Sequence, residues 1–111
     1  MKVRLAGIAM PQDMWRWENK RIIHSEKARR YLAELLLNKV VRIHAYGSDL
    51  ENRVVAEIYH HGRNINLEMI RAGFAEVYSK GLHKELDLEP YRSAEQAARN
   101  DGRGLWAPGG R

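Results

Sequence analysis

Residues 3–12, VRLAGIAMPQ, and residues 49–56, DLENRVVA, are the two stretches that decide how this chain folds. In the first, Arg4 lies in a run of β-forming residues that Pro11 ends, since proline has no N–H to donate to a strand ladder. In the second, a polar turn leads into Arg53 and another apolar run. An arginine held beside a tight turn at a strand end is a rigid fork for a phosphate group. The two stretches therefore predict two strands that each present one phosphate-binding arginine.

Length, composition and charge restrict the class of protein. At 111 residues the chain is long enough for one domain, and 44% apolar with 30% charged residues is typical of a globular one. The sequence has no cysteine, no apolar run long enough to span a membrane and no signal peptide at its start, so it predicts no membrane partner. A cytoplasmic location is compatible with these features but is not decided by them. The net charge of +5 favours nucleic acid as a partner, with a merely solubilising surface as the alternative.

The sequence predicts short strands and three helices. The predicted strands are 2–8, 39–45, 53–59, 64–65 and 75–78, and the predicted helices start at an N-cap Ser25, at an N-cap Asn66 and at Pro90. The first helix carries an apolar stripe at Ala28, Leu32, Leu35 and Leu36. Predicted helix stops are Asn38, Gly73 and Gly102. Residues 12–24 and 79–87 are predicted to be polar loops, and Leu105 and Trp106 to dock the C-terminal end on the core.

Five motifs in this order resemble the staphylococcal nuclease (thermonuclease) family. They are RLAGI-x-x-P at 4–11, A-x-x-x-L-x-x-LL at 28–36, D-x-x-NR-x-x-A at 49–56, INL-x-MI-x-x-GFA at 65–75, and E-x-A-x-R at 95–99 followed by GLW at 104–106. The resemblance implies an α+β fold, an OB-like five-stranded Greek-key barrel with packed helices. Residues 1–107 would form this domain, and residues 108–111 a disordered tail. Because the family has two strands before the one that carries Arg4, the barrel is expected to be N-terminally incomplete.

The resemblance also implies a chemistry, the calcium-dependent hydrolysis of phosphodiesters in DNA or RNA. The family's two phosphate-binding arginines match Arg4 and Arg53, and a glutamate that orients or deprotonates the attacking water matches Gln12. A calcium-binding aspartate matches Ala9, which has no side-chain oxygen, and a glutamine cannot accept the proton of a water molecule. Arg4, Arg53 and Gln12 are therefore the predicted catalytic residues of a degenerate nuclease. Calcium is expected from the family, but the ligands are largely absent, so no metal ligand is assigned. The alternative is a non-catalytic nucleic-acid- or protein-binding module that retains the nuclease fold.

A cluster of aromatic and basic residues is the predicted substrate-binding surface. Its members are Trp15, Arg16, Trp17, Lys20, Arg21 and Tyr78. Aromatic side chains among basic ones can stack on the bases of a single strand. The alternative is that the two tryptophans cover the gap left by the missing strands.

The missing strands themselves have three explanations. The chain is a fragment of a longer protein, it pairs with a second copy, or residues 12–24 fold back as a cover. An unpaired strand edge favours association with another strand. We therefore expect a homodimer that completes the barrel.

Overall fold

The computed structural model describes residues 2–10, 21–78 and 86–107, and within these ranges it leaves out only the side chains of residues 21–23. The strands are β1 (Val3–Leu5), β2 (Ile8–Ala9), β3 (Arg42–Ser48), β4 (Val54–His60), β5 (Arg63–Asn64) and β6 (Glu76–Val77). The helices are α1 (Arg21–Leu36), α2 (Ile65–Arg71) and α3 (Glu89–Asp101), followed by a 3₁₀ turn at Gly104–Trp106. The predictions for residues 11–20, 79–85 and 108–111, including most of both polar loops and the tail, lie outside the described residues.

β4 is the centre of the larger sheet. β1 runs parallel to it, with Val3 beside Val54 and Leu5 beside Ala56, and β3 and β5 pair with it in antiparallel orientation. β2 and β6 form a separate antiparallel pair. Three helices packed on mixed sheets confirm the predicted α+β class. In the described part of the chain, the two sheets do not join into a closed barrel.

The prediction of one strand over residues 2–8 is wrong, because a turn at Ala6 and Gly7 divides it. Gly7 has a φ of 79°, a conformation that glycine adopts without steric cost. The Ala6 N–H still donates to the Ala56 carbonyl at 2.8 Å, and the chain then leaves β4. Ile8 pairs instead with Val77 of β6. The break in the strand therefore lies just beyond Arg4 and moves β2 into the second sheet.

α1 starts earlier than the sequence predicts. The helix begins at Arg21, so Ser25 lies inside it and is not its N-cap. An N-cap side chain contributes about 1 kcal/mol. Residues 21–24 contain no proline or glycine, so the helix can continue toward the N-terminus. The hydrogen bonds of this further turn stabilise the helix more than a cap at Ser25 would. At the other end, Asn38 adopts a φ of 60°, which confirms the predicted stop.

α2 is capped by Asn64, not by Asn66 as predicted. The Asn64 side chain accepts a hydrogen bond from the Leu67 N–H at 3.1 Å. Asn66 is instead fully buried, and its amide donates to the carbonyls of Ala6 and Ala56 at 2.9 and 3.0 Å. A buried amide that is satisfied in this way links α2 to the junction of β1 and β4.

β3 also differs from its predicted range of 39–45. It begins at Arg42 and continues to Ser48, because a bulge between Ala45 and Gly47 carries the pairing past the predicted end. The last helix agrees with its prediction, with Pro90 in the first turn and Gly102 in the left-handed conformation at its end. The predicted docking of the C-terminal end is confirmed by Leu105, which is completely buried.

The core is formed by residues of both sheets and all three helices. α1 covers one face of the larger sheet, where Leu32 and Leu35 pack on Ala56 and Ile58. Tyr91 of α3 packs in a second cluster of buried residues, together with residues of β2, α1 and α2. The register places Arg4 beside Val55, two residues along the chain from Arg53. The fold therefore brings the two arginines that the sequence singles out to neighbouring positions.

Candidate nucleic-acid-binding cleft

A cleft of about 200 Å³ runs along β1, between that strand and α1. Among the described residues, those that line it are Val3, Arg4, Leu5, Ile8, Met10, Arg29, Leu32 and Arg53. Its lining thus combines an apolar floor with three guanidinium-bearing side chains. Both arginines that the sequence predicts to bind phosphate line this one cleft.

Arg4 is held by the ring of Tyr78. Its guanidinium carbon lies 4.8 Å from the centre of that ring, the geometry of a cation–π contact. The backbone N–H of Tyr78 donates to the Gly7 carbonyl at 2.9 Å, which fixes the ring beside β1. Within the described residues, Arg4 has no carboxylate partner. The charge of Arg4 is therefore available to a bound anion.

Glu95 of α3 stabilises the strand β6 that precedes Tyr78. Its carboxylate accepts a hydrogen bond from the backbone N–H of Val77 at 2.8 Å and forms an ion pair with Arg99 at 3.3 Å. Val77 directly precedes Tyr78, so Glu95 holds the end of β6 on which the Tyr78 ring is mounted. The position of Arg4 thus depends on a contact from the last helix.

Arg53 is held by the turn that precedes β4. The Oδ1 atom of Asp49 accepts hydrogen bonds from the backbone N–H groups of Glu51 and Arg53, both at 2.9 Å. Its Oδ2 atom accepts from Nε of Arg53 at 2.7 Å. The backbone N–H of Arg53 is the main cause that lowers the pKa of Asp49, which is therefore a carboxylate at neutral pH. Asn52 completes the turn with a φ of 59°, a conformation that asparagine tolerates well.

Asp49 aims Arg53 without engaging the terminal N–H groups of its guanidinium. It engages the Nε edge of the guanidinium, and Glu51 lies 3.5 Å from one terminal nitrogen. About a third of the Arg53 side chain stays exposed. The guanidinium therefore still presents N–H donors to a ligand in the cleft.

Arg29 is the residue of the cleft that sequence reasoning missed. It lies on α1, one residue after buried Ala28 and three before Leu32, which faces the same cleft. Residues three apart on a helix are neighbours on its surface. Arg29 lies at the border of the apolar stripe of α1, and this position indicates that its side chain is near the packed face. Only the packing of α1 beside β1 shows that this face borders the cleft.

The other predicted site residues are not among the described residues that line this cleft. Gln12, Trp15, Arg16, Trp17 and Lys20 lie outside the described residues, and Arg21 is described only by its backbone at the start of α1. Tyr78 contacts Arg4, as described above, and does not line the cleft itself. The roles of these residues in catalysis or substrate binding stay predictions.

The described residues do not fit a calcium ion. In residues 2–10, 24–78 and 86–107, no three acidic or histidine side chains converge in a way that could hold a metal. Ala9, which the resemblance aligns with the family's aspartate, is buried against Leu105 and has no side-chain oxygen to offer. Both oxygens of Asp49 are already engaged by the turn. Because hard cations require about six to eight oxygen ligands, the described residues alone would not hold calcium.

Glu57 is a second feature that the sequence did not reveal. Its buried carboxylate accepts hydrogen bonds from the hydroxyls of Tyr46 and Tyr91, both at 2.6 Å, from the Asn64 amide at 3.0 Å and from the Tyr59 hydroxyl at 3.3 Å. Burial alone would raise the pKa of Glu57, but these hydrogen bonds outweigh it and lower the pKa. Burial also raises the pKa of Tyr91, which therefore keeps its proton. The network lies outside the cleft and joins β3, β4, β5 and α3.

Comparison with known proteins identifies the class to which this fold and cleft belong. The profile of the family described as "Staphylococcal nuclease homologue" matches residues 2–108. The chain therefore belongs to the staphylococcal nuclease homologue family, which confirms the resemblance found in the sequence. Within the described residues, no helix has the length and apolar character needed to cross a membrane.

Three relatives of this chain have names that describe endonucleases. The chain is 34% identical to "Probable endonuclease lcl3" of Pyrenophora tritici-repentis, with 96% of the chain and 41% of the relative aligned. It is 37% identical to "Probable endonuclease LCL3" of Paracoccidioides lutzii, over 94% of the chain and 33% of the relative. An "Uncharacterized endonuclease" of Haemophilus influenzae is 35% identical, over 96% of the chain and 54% of the relative. The chain thus spans about half or less of the length of these relatives.

Proposed function

We propose that this domain binds nucleic acid by holding a phosphate between Arg4 and Arg53. The observation that carries the proposal is that both side chains line one cleft while each is mounted on a strand or its adjoining turn. Guanidinium groups bind phosphate oxygens with paired, charge-assisted hydrogen bonds. A rigid mount limits the conformational entropy that such binding would lose. The nuclease family and the names of the relatives support a nucleic acid as the source of the phosphate.

We further propose that the domain, on its own, hydrolyses phosphodiesters poorly. Arg4 and Arg53 could stabilise charge that develops on a phosphate during hydrolysis. The reaction also needs a group that activates water, and the described residues that line the cleft include no carboxylate or histidine. Gln12, the residue at the position of the family's glutamate, cannot act as a base. The balance of these features favours a module that retains binding and has lost most of its catalysis.

One reaction mixture tests binding and cleavage together. A short single strand with a fluorophore and a quencher is incubated with the protein, with calcium or with a chelator, and both anisotropy and cleavage are followed. We expect binding in both conditions and little or no cleavage in either. Robust cleavage that requires calcium would refute the proposed loss of catalysis, whereas the absence of binding in both conditions would refute the proposed function.

The substitutions Ala9→Asp and Gln12→Glu provide the converse test. Together they would restore the two carboxylates that the family has at these positions. If degeneracy limits catalysis, the double variant should cleave the probe faster than the unchanged protein when calcium is present. An unchanged rate, with binding retained, would show that these two positions are not what limits catalysis.

A further inference from the structure

Arg29 brings a third guanidinium to the cleft. It extends from α1, whereas Arg4 and Arg53 extend from the sheet side, so positive charge reaches the cleft from both of its walls. The Arg29 side chain is 73% exposed, and its nearest carboxylate, on Glu26, lies 3.7 Å away. An exposed pair at that distance contributes little and does not fix the arginine. Arg29 can therefore turn toward a ligand without losing a strong contact.

The acidic residues around the cleft compensate its arginines unequally. Asp49 and Glu51 both face Arg53, and Glu26 is shared between Arg29 and the neighbouring Arg30. Arg4 faces the neutral ring of Tyr78. Within the described residues, the positive charge left for a ligand therefore lies mainly on Arg4, which has no carboxylate partner, and on Arg29, whose one partner is exposed and shared.

The floor of the cleft is apolar. The residues that form it are Val3, Leu5, Ile8, Met10 and Leu32. Such a floor favours a ligand whose phosphate is attached to an apolar or aromatic group over inorganic phosphate alone. A nucleotide unit, with its flat base, is a ligand of this kind.

We propose that Arg29 is a third phosphate-contacting residue and that the cleft selects a phosphomonoester, such as the phosphate at the end of a nucleic-acid strand, over an internal phosphodiester. An internal phosphodiester carries one negative charge, whereas a phosphomonoester carries between about 1.5 and 2 at neutral pH. The additional charge is what a third guanidinium recognises. The inference rests on the proposed function, because it concerns the same cleft.

Two small probes isolate the second charge. Phenyl phosphate is a dianion at pH 8, and its methyl ester, methyl phenyl phosphate, is a monoanion with the same ring. We would titrate each into the full chain in the presence of a chelator and follow binding by NMR. The unchanged protein should bind phenyl phosphate about three- to tenfold more tightly, as expected when one further charge meets two or three partly exposed guanidinium groups.

Arg30 supplies a matched control for Arg29. Both side chains are exposed and both pair with Glu26, but Arg30 does not line the cleft. Arg29→Ala should remove most of the preference for phenyl phosphate, Arg30→Ala should keep it, and Arg29→Lys should restore part of it. If Arg29→Ala and Arg30→Ala both behave like the unchanged protein, the inference is wrong.

Arg4→Ala and Arg53→Ala separate this inference from the proposed function. If they weaken the binding of both probes while Arg29→Ala has no effect, the two-arginine site stands and the role of Arg29 is refuted. If neither of them affects either probe, the proposed phosphate site is refuted, and the inference fails with it.

Discussion

Replacing Glu57 with glutamine should destabilise the fold by about 3 kcal/mol at neutral pH. The carboxylate accepts two hydroxyl hydrogen bonds at 2.6 Å and an amide hydrogen bond at 3.0 Å in a buried position. Hydrogen bonds to a charged group contribute about 1.5–3 kcal/mol, and a buried hydroxyl left without an acceptor costs about 1–3 kcal/mol. Glutamine keeps one acceptor oxygen, so part of this loss is avoided. A domain of this size has a total stability of roughly 5–15 kcal/mol, so the change should be easy to measure.

The dependence on pH identifies the charge as the cause. The pKa of Glu57 is lower in the folded chain than its ordinary value of 4.5. The ionised carboxylate therefore stabilises the fold fully above that value, and this contribution is lost as the pH falls through the lower, folded-state pKa. The difference in stability between the unchanged protein and Glu57→Gln should accordingly be largest near pH 7 and become smaller below pH 4.5.

Urea unfolding followed by circular dichroism from pH 7 to pH 3 measures this difference. The slope with urea should stay the same in both proteins, since the surface exposed on unfolding does not change. Glu89→Gln is the matched control, because Glu89 lies exposed on α3 and its replacement should change the stability by less than about 0.5 kcal/mol. A Glu57→Gln effect that is below 1 kcal/mol at pH 7, or that is the same at pH 7 and pH 3, would refute the reasoning.

Two further predictions concern the cleft and the surface. Asp49→Ala removes the acceptor that aims Arg53, so it should weaken the binding of a short oligonucleotide severalfold in a fluorescence titration. Glu51→Ala removes only the contact at 3.5 Å and should have a smaller effect. Equal effects of the two substitutions would contradict the role of Asp49. The chain should also form a dimer in sedimentation experiments at micromolar concentration. Among the described strands, β3 pairs only with β4, so its other edge is open to a strand of a second copy, and the adjacent Val40 is 92% exposed. Val40→Lys should weaken this dimer and Leu50→Lys, at an exposed turn position, should not; a monomer at all concentrations would contradict the expectation.

The sequence predicted the elements whose ends are set by local chemistry. Asn38 and Gly102 end their helices in the left-handed conformation, as their residue types indicate. The ranges predicted for β4 and α3 agree with the structure to within one or two residues. In these cases, the preference of the residue and the surrounding packing favour the same conformation.

The sequence does not predict features that tertiary contacts determine. The turn at Gly7 depends on pairing between β2 and β6, whose residues are about seventy positions apart in the chain. The residue type predicts Asn66 as a cap, because asparagine favours that position, but its side-chain amide donates to two carbonyls that are distant in the sequence. Local patterns could not show either contact.

The candidate site likewise contains residues that the sequence predicts and residues that only the fold reveals. Arg4 and Arg53 could be named from the sequence, because each belongs to a recognisable strand-and-turn motif. Arg29 could not, since its approach to the cleft results from the packing of α1 beside β1. Glu57 alternates along β4 like an ordinary strand residue, and only the fold brings Tyr46 and Tyr91 to its carboxylate.

The binding of a fluorescent oligonucleotide by Arg4→Ala and Arg53→Ala tests the central claim most directly. Each variant should bind with an affinity lower by about 1.5–3 kcal/mol, or roughly ten- to 150-fold, which is the contribution of a charged hydrogen-bonding partner. Arg92→Ala is the control, because Arg92 is an exposed arginine on α3 that does not line the cleft. It should reduce the affinity only slightly, and that small effect should disappear as the salt concentration rises. If the unchanged protein, Arg4→Ala and Arg53→Ala bind equally well while all three remain folded, the cleft is not the phosphate site.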